Sequence, residues 1–340
     1  MRDIKVLGID LAKNVFQLHG TNFKGKCVLS KRISREKLVE FIATLKPCLI
    51  GMEACMGAHY WARIFQNIGH TVRIMSPHFV KPYVMANKND QNDARGIAEA
   101  VTRPNMKFVA IKNIEQQDIL LLHRARELVM KQRTAQANQI RGLLLEYGIA
   151  IPKGIYNLKI LLEILESNAD QLTVRAIAVF KQLYEQLKNY NNQIKTYDEQ
   201  IEQVVAQNTM CKAVMEIEGI GPITASAIVA TVGDAKTFKN GREMSAWLGL
   251  VPKQYSSGNT VRLSGISKRG DSYIRKLLVH GARSVLNNCE KKKDKRSIWI
   301  SDKKYRCGYN KAAVALANKN ARIIWAIMST GERYRKPMPM

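Results

Sequence analysis

The first 76 residues alternate between short apolar runs and amphipathic segments in an order that few arrangements of strands and helices can satisfy. Strand-like runs occupy residues 4–11, 15–20 and 27–33, and only three residues separate the first two, which suits a hairpin. A helical pattern over 35–45, a strand over 48–52, a helix over 58–68 and a strand over 71–76 follow. We therefore predict an α/β domain over residues 1–110.

Four carboxylates are placed in this region in a way that suggests metal binding. Asp10 and Glu53 each end an apolar run, and Asp90 and Asp93 lie three apart on a predicted helical face. Single acids often end strands or cap helices, so the prediction depends on the ordered set. Hard oxygen ligands suit Mg²⁺ or Mn²⁺. Two such ions about 4 Å apart activate an attacking oxygen and stabilise the leaving one, so the set predicts phosphoryl-transfer chemistry.

The charge of the chain indicates a polyanionic partner. Lys and Arg number 54 against 28 Asp and Glu, a formal net charge of +26. Residues 241–340 hold 22 of the basic and 6 of the acidic residues, a net +16. The basic run at 291–296 is, by itself, typical of a solvated face. The surplus over the whole region predicts nucleic-acid binding.

Length, cysteine content and hydrophobic runs indicate what kind of protein this is and where it acts. With 340 residues and 46% hydrophobic content, the chain can bury two cores. The six cysteines form no CxxC pair, which indicates ordinary reduced thiols. No apolar stretch approaches the roughly 20 residues that cross a bilayer, and the N-terminus enters a strand without a signal peptide. We expect a cytoplasmic protein with no membrane association.

The middle region, residues 111–210, is predicted to be helical. One long helix spans 114–147 and ends at Gly148 and Pro152. A heptad seam follows, with apolar residues at alternating spacings of three and four: Phe180, Leu183, Leu187, Tyr190, Ile194, Tyr197, Ile201 and Val204. An antiparallel hairpin within one chain and a zipper between two chains both produce this pattern. The length and polar exterior of the seam favour a projecting arm with an intermolecular contact.

The last region, residues 211–340, carries two features of interest. Gly219 and Gly221 precede a helix of small residues, a pattern that resembles a helix-hairpin-helix element, in which backbone N–H groups hold a phosphate. Farther on, Ser256 and Ser257 precede Gly258 on a predicted loop. Serine is a nucleophile only when positioned and assisted, and it also simply populates turns. The cations that could stabilise charge on a phosphate there are Lys268, Arg269, Arg275, Lys276 and Arg283.

Two resemblances join these observations. The order of strands, helices and acids in the N-terminal region is similar to the ribonuclease-H-like fold and to the RuvC resolvases. Over the whole chain, the four acids, the helical middle and the Leu-Gly-Leu-Val-Pro, Tyr-Ser-Ser-Gly and Gly-Ile-Ser-Lys-Arg-Gly-Asp motifs resemble the DEDD transposases of insertion sequences. The fold expected is therefore α/β plus α: a RuvC-like domain, a coiled-coil middle and a mainly helical C-terminal domain.

The resemblance implies a recombinase, guided by a bridge RNA, that excises and inserts its element through a covalent phosphoserine. It implies Asp10, Glu53, Asp90 and Asp93 as Mg²⁺ ligands and Ser257 as the nucleophile, with Ser256 in reserve. The partners implied are double-stranded DNA, the guide RNA and further copies of the chain in a dimer or tetramer. The resemblance also implies a bacterial protein that joins the nucleoid when bound to DNA. The alternative is a Holliday-junction or structure-specific endonuclease that uses the same acids with water as nucleophile.

Overall fold

The computed structural model describes residues 3–84 and 89–335, and the chain folds as two compact units. The first unit is Met1–Ile114 and the second is Glu115–Met340. The sequence predicts three regions, and the middle and last of these belong to one compact unit here. No helix among the described residues is long and apolar enough to cross a membrane.

The first unit is built on a six-stranded sheet in the order β3-β2-β1-β4-β5-β6. The first three strands form an antiparallel meander, and β4 and β5 continue the sheet parallel to β1. The strands are β1 (Val6–Asp10), β2 (Val15–Thr21), β3 (Cys27–Ser34), β4 (Leu49–Glu53), β5 (Thr71–Met75) and β6 (Phe108–Val109).

Helices cover both faces of this sheet. They are α1 (Arg35–Ala43), α2 (Ala58–Asn67), the short α3 (Pro77–Val80) and α4 (Asp90–Ala100). One face packs Leu7 and Ile9 of β1 with buried residues of α1 and α2, such as Leu38 and Trp61. The other face packs under α4, where Ile97 is fully buried. A sheet buried on both faces explains the nearly continuous apolar runs in β1 and β4.

The predicted order of strands and helices in the first 76 residues is confirmed, with boundaries that differ by at most a few residues. The strand β6 was not predicted, because two residues are too short to show a periodic pattern. It pairs antiparallel with β5 through Ile74 and Met75. The mixed α/β sheet agrees with the ribonuclease-H-like expectation.

The second unit is mainly helical and carries one two-stranded sheet. Its helices are α5 (Ile114–Leu145), α6 (Leu161–Ser167), α7 (Val174–Gln207), α8 (Thr209–Met215), α9 (Pro222–Val232), α10 (Gly241–Trp247), α11 (Ser272–Leu286), α12 (Lys295–Cys307) and α13 (Tyr309–Thr330). The strands β7 (Pro252–Ser257) and β8 (Thr260–Ile266) form an antiparallel hairpin between α10 and α11.

The heptad seam lies on α7, and half of its eight residues are buried within the chain. Phe180, Leu187, Ile194 and Ile201, each seven residues apart, are all buried. Arg126 of α5 pairs with Asp198 of α7, at an Nε–Oδ1 distance of 2.5 Å. Farther along, Arg133 donates to Asn191 and Tyr147 packs edge-on against Phe180. These contacts run in opposite directions along the two helices, so α5 and α7 form an antiparallel hairpin within the chain. The intermolecular contact of this arm stays a prediction.

Candidate active site

The carboxylates of Asp10 and Glu53 emerge side by side from the central sheet. Each is the last residue of its strand, and β1 and β4 pair in parallel with Ile9 opposite Met52. Side chains alternate between the two faces of a strand. Gly8 and Gly51 face α4, so Asp10 and Glu53, two residues farther along, lie on that same face. Both are half-buried.

The helix α4 lies directly against these strands. A Cβ atom at Gly8 would overlap the carbonyl oxygen of Ala94, and one at Gly51 would lie 2.8 Å from Val101 Cβ. The absence of side chains at these two positions therefore permits the close crossing of helix and sheet. This contact places the residue before Ala94, Asp93, on the turn of α4 that crosses β1.

Asp90 and Asp93, the other two predicted ligands, lie in the first turn of α4. Asp90 is the first residue of α4 and is exposed, whereas Asp93 is half-buried. Over residues 3–84 and 89–335, no group of three or more His, Cys, Asp or Glu side chains is arranged to hold a metal ion. Asp10 and Glu53 thus lie side by side with α4 packed against their strands, but the four carboxylates do not form one metal-binding cluster among the described residues.

The electrostatics at the strand ends suit a hard divalent cation. The pKa of the Cys55 thiol is raised, first by partial burial of the sulfur and then by the carboxylates of Asp10 and Glu53. Both carboxylates therefore lie close to Cys55, at the same end of the sheet. Paired oxygen ligands in such a region fit Mg²⁺ or Mn²⁺ in chemistry and charge.

The two serines lie on an exposed β-hairpin, where the sequence indicated only a loop. Ser257 is the last residue of β7 and pairs with Thr260 across the two-residue turn Gly258-Asn259. Gly258 has φ +54°, which glycine adopts without strain. The Ser256 hydroxyl accepts a hydrogen bond from Gln254 Nε2 at 2.9 Å. Because side chains alternate, Ser256 and Ser257 point to opposite faces of the ribbon.

The base of the hairpin is held by the segments before and after it. A Cβ atom at Gly270 would overlap the Trp247 carbonyl oxygen. The Ser267 N–H donates to Val251 at 2.8 Å, and Lys268, at φ +55°, donates its N–H to the Gly249 carbonyl at 3.2 Å. The Leu-Gly-Leu-Val-Pro and Gly-Ile-Ser-Lys-Arg-Gly-Asp motifs thus pack on each other through their backbones, and the hairpin extends from this packed base.

The predicted phosphate-binding cations are found in different settings. Lys268 and Arg269 are exposed beside the hairpin base. Arg275 donates through Nη1 to the carbonyls of Leu248 (3.0 Å) and Arg269 (2.8 Å), so it holds the base together. Lys276 pairs with Glu127 at 2.8 Å and Arg283 donates to an asparagine of α13 at 3.1 Å. Lys268 and Arg269 are therefore the most available of the five.

The two predicted backbone sites also differ from each other. Gly219 has φ +85°, and its backbone is packed against Gly281 of α11, where neither residue has room for a Cβ atom. Gly221, at the start of α9, faces open space. Gly219 thus has a packing role, and Gly221 is the better placed of the two to meet a phosphate.

Two polar features of the second unit were not predicted. His123 is 1% exposed and lies 3.0 Å from both the Tyr273 and the Ser226 hydroxyl oxygens. Arg296 is 4% exposed, although it belongs to the basic run that the sequence assigned to a solvated face. Neither residue carries a local sequence signal, because its burial depends on helices distant in sequence.

Comparison with known proteins defines the class. A family model for DEDD transposases of the IS110 group matches residues 7–149. A second model, described as the IS116/IS110/IS902 transposase family, matches residues 211–297. The first match contains all four acids, and the second contains both serines. Together they cover more than half of the chain.

Full-length relatives agree with this classification. The transposase of the insertion sequence element IS1111A from Coxiella burnetii is 46% identical over 98% of this chain and 92% of its own length. A probable family 20 transposase from Pseudomonas aeruginosa is 44% identical over 97% of this chain. The IS1328 transposase from Yersinia enterocolitica is 38% identical over 99% of this chain and all of its own. The chain belongs to the IS110/IS116 family of DEDD transposases, enzymes that cleave and rejoin DNA.

Proposed function

We propose that this transposase excises and inserts its element through a covalent link between Ser257 and a DNA phosphate. The supporting observation is the position of Ser257, at the exposed tip of a hairpin whose base is fixed by the backbone contacts of Gly249, Lys268 and Gly270. An exposed hydroxyl on a fixed ribbon can reach a phosphodiester in duplex DNA. No hydrogen bond holds the Ser257 side chain to the rest of the described chain, whereas Ser256 is bonded to Gln254.

In the proposed step, Ser257 Oγ attacks the phosphorus, and the bond from phosphorus to the 3′ oxygen of the neighbouring nucleotide breaks. The serine proton passes to water, and the leaving 3′ oxygen takes up a proton from water to become a free 3′ hydroxyl. The DNA strand is then joined to Ser257 through its 5′ phosphate. Attack of a second 3′ hydroxyl on the phosphoserine reverses the step and rejoins DNA. The cations of Lys268 and Arg269 stabilise the charge that develops on the phosphate.

We further propose that Asp10, Glu53, Asp90 and Asp93 hold Mg²⁺. When bound, the metal would supply Lewis-acid stabilisation of the attacking and leaving oxygens. The half-buried Asp10 and Glu53 would hold the metal at the strand ends, and Asp93 and Asp90 would add carboxylate oxygens from α4. We also propose that a guide RNA selects the DNA target by base pairing with the target strand.

The covalent step is tested with a DNA duplex labelled at the cleavage site and denaturing electrophoresis. We expect a protein–DNA adduct through the 5′ phosphate that is lost in Ser257→Ala and kept in Ser256→Ala. Ser264→Ala, on the facing strand, is the matched control and keeps the adduct. Loss in Ser256→Ala with retention in Ser257→Ala would assign the other serine. Cleavage without any adduct in the wild type would favour the endonuclease alternative.

The metal ligands and the guide are tested separately. Asp10→Asn and Glu53→Gln are expected to abolish strand exchange in Mg²⁺ while nucleic-acid binding persists, and Asp3→Asn, an exposed surface change, serves as control. Full activity of either variant would exclude the metal role.

For the guide, strand exchange should require RNA transcribed from the flanks of the gene, and changing the loops of that RNA should redirect insertion. Exchange at an unchanged site with no RNA would refute guidance.

A further inference from the structure

The second unit contains a cavity of about 760 Å³ on the side formed by α10, α12 and α13. Its walls come from the first residues of α10, the start of α12, the C-terminal half of α13 and residues 332–335. Gly241 makes this arrangement possible, because a Cβ atom there would lie 3.0 Å from the Arg322 Cα and carbonyl oxygen. The close approach of α10 to α13 brings Arg242 and Arg322 to the same wall.

The lining of the cavity is strongly basic. Seven of the lining side chains are Lys or Arg, and Glu332 is the single acid among them. That glutamate lies 3.9 Å from Arg335, one of the seven. No carboxylate among the described residues forms an ion pair with Arg242, Lys319 or Arg322. Because like charges held together are unfavourable, an anion among them would stabilise the cluster.

One of these cations is built into the protein interior. Arg296 donates through Nη2 to Asn320 Oδ1 at 2.6 Å and to the Glu218 carbonyl at 3.2 Å, and through Nη1 to the Tyr334 hydroxyl at 2.9 Å. Its Nε atom is buried and has no hydrogen-bond partner among the described residues. All its partners are neutral, so a buried positive charge, which is costly to keep, lacks a counter-ion within the described chain.

Lys319 shows the effect of this crowding. Its pKa is lowered by burial and then by the charges of Arg296 and Arg322. Its ammonium group also lies 4.3 Å from the centre of the Trp299 ring. An anion in the cavity would offset this repulsion and raise the pKa of Lys319 again.

We propose that this cavity, which we call the Arg296 pocket, binds phosphate groups of a nucleic-acid strand. Its lining includes neither serine of the hairpin and none of the four predicted metal ligands, so the test of this pocket does not depend on how DNA is cleaved. The volume is far larger than one phosphate and is in the range of pockets that take a drug-sized ligand. Cations from three helices line it, which allows contacts to consecutive phosphates.

The wall chemistry favours a strand over a free anion. Trp325 and Tyr334 line the pocket beside the cations, and aromatic rings next to basic groups are the usual combination for strands with accessible bases. The pocket also lies in the part of the chain, 241–340, with a net charge of +16. A nucleic-acid strand would make the contacts in the pocket and would also be attracted by the positive charge of the surrounding region. A free phosphate would gain chiefly the contacts in the pocket.

The test compares two double variants with the same net charge. Arg242→Gln/Arg322→Gln removes two exposed cations of the pocket, and Lys291→Gln/Lys311→Gln removes two exposed lysines that do not line it. Binding of a fluorescein-labelled duplex DNA and of a single-stranded RNA of the same sequence is measured by anisotropy in EDTA at several salt concentrations. Thermal unfolding confirms that both variants fold.

The pocket variant is expected to bind at least one of the two probes about tenfold more weakly per lost contact. Its slope of log affinity against log salt should fall by about 0.7–0.9 for each contact. The control should change by less than half as much. Which probe responds identifies the strand as DNA or RNA. Equal losses in the two variants would refute the pocket, because the cations would then act only through net charge.

Inorganic phosphate and adenosine monophosphate provide the other arm of the test. Weak competition, at millimolar concentration and only against the wild type, supports a strand phosphate as the ligand. Tight binding of the mononucleotide, with strand affinity unchanged in the pocket variant, would overturn the assignment to a nucleic-acid strand. Since EDTA prevents metal-dependent chemistry, failure here is distinguishable from failure of the phosphoserine proposal.

Discussion

Acid should destabilise the second unit through His123. The Ser226 hydroxyl donates to the Pro222 carbonyl at 2.7 Å, so its oxygen accepts from the imidazole Nε2–H. The imidazole Nδ1 then accepts from the Tyr273 hydroxyl. This arrangement favours the neutral ring, because a proton on Nδ1 would force the Tyr273 hydroxyl to turn from donor to acceptor. The neutral form is therefore built into the packing of α5, α9 and α11.

The size of the effect follows from the pKa of His123, which is lowered to about 4, first by burial and then by Arg126 and Arg124. The unfolded chain has a value of about 6.5. Between these values the unfolded state binds more protons, so stability falls as the pH falls. The group has no effect above pH 6.5, and below pH 4 it costs about 3 kcal/mol.

The assay is denaturant unfolding between pH 4 and 7 in a Trp61→Phe background. The remaining tryptophans, Trp247, Trp299 and Trp325, then all report on the second unit. His123→Gln should remove about 3 kcal/mol of the loss of stability on acidification, whatever its effect at neutral pH. His280→Gln, exposed on α11, is the control and should leave the pH dependence unchanged. Equal pH dependence in His123→Gln and the wild type would refute the reasoning.

Three further predictions concern packing. Ile194→Asp places a charge at a buried position of the seam and should lower the free energy of unfolding, measured by denaturant titration, by at least about 3 kcal/mol. The control Gln193→Asp, one residue away and exposed, should change it by under about 0.5 kcal/mol. In Gly281→Ala the added methyl group would overlap the Gly219 backbone, so the Tm should fall. The control Gly142→Ala, on an open helix face, should leave the Tm unchanged or raise it. A wild-type Tm for Gly281→Ala would contradict the close contact. Arg275→Lys keeps the charge but loses the paired carbonyl contacts, so proteolysis at the hairpin base should accelerate, and an unchanged rate would contradict that role.

The sequence was most informative where structure is local. The strands and helices of residues 4–76 follow from periodic patterns and turn residues, and the strand-end positions of Asp10 and Glu53 follow with them. The distance between those acids and Asp90 or Asp93 does not, because it depends on how α4 crosses the sheet. That crossing is set by backbone contact at Gly8 and Gly51, which a single sequence shows only as two small residues.

Other features needed the assembled chain. The seam of α7 is apolar at heptad spacing whether its partner is α5 or another subunit, so periodicity alone could not choose. The hairpin that carries Ser257 is exposed on both faces and lacks the apolar alternation that marks a half-buried strand. Arg296 belongs to a run of charges that sequence reasoning places in solvent, and its burial results from contacts with Glu218, Asn320 and Tyr334 from separate segments.

The main-chain character of the hairpin base has a consequence for how such enzymes diversify. Amides, carbonyls and glycines fix where the ribbon stands, with help from a single arginine, Arg275. The side chains of Lys268 and Arg269 take little part in that geometry. Substitutions at these two positions can therefore change how strongly a phosphate is held and stabilised while the serines keep their place. The position of the nucleophile and the charge around it are thus separable, so one can change without rebuilding the other.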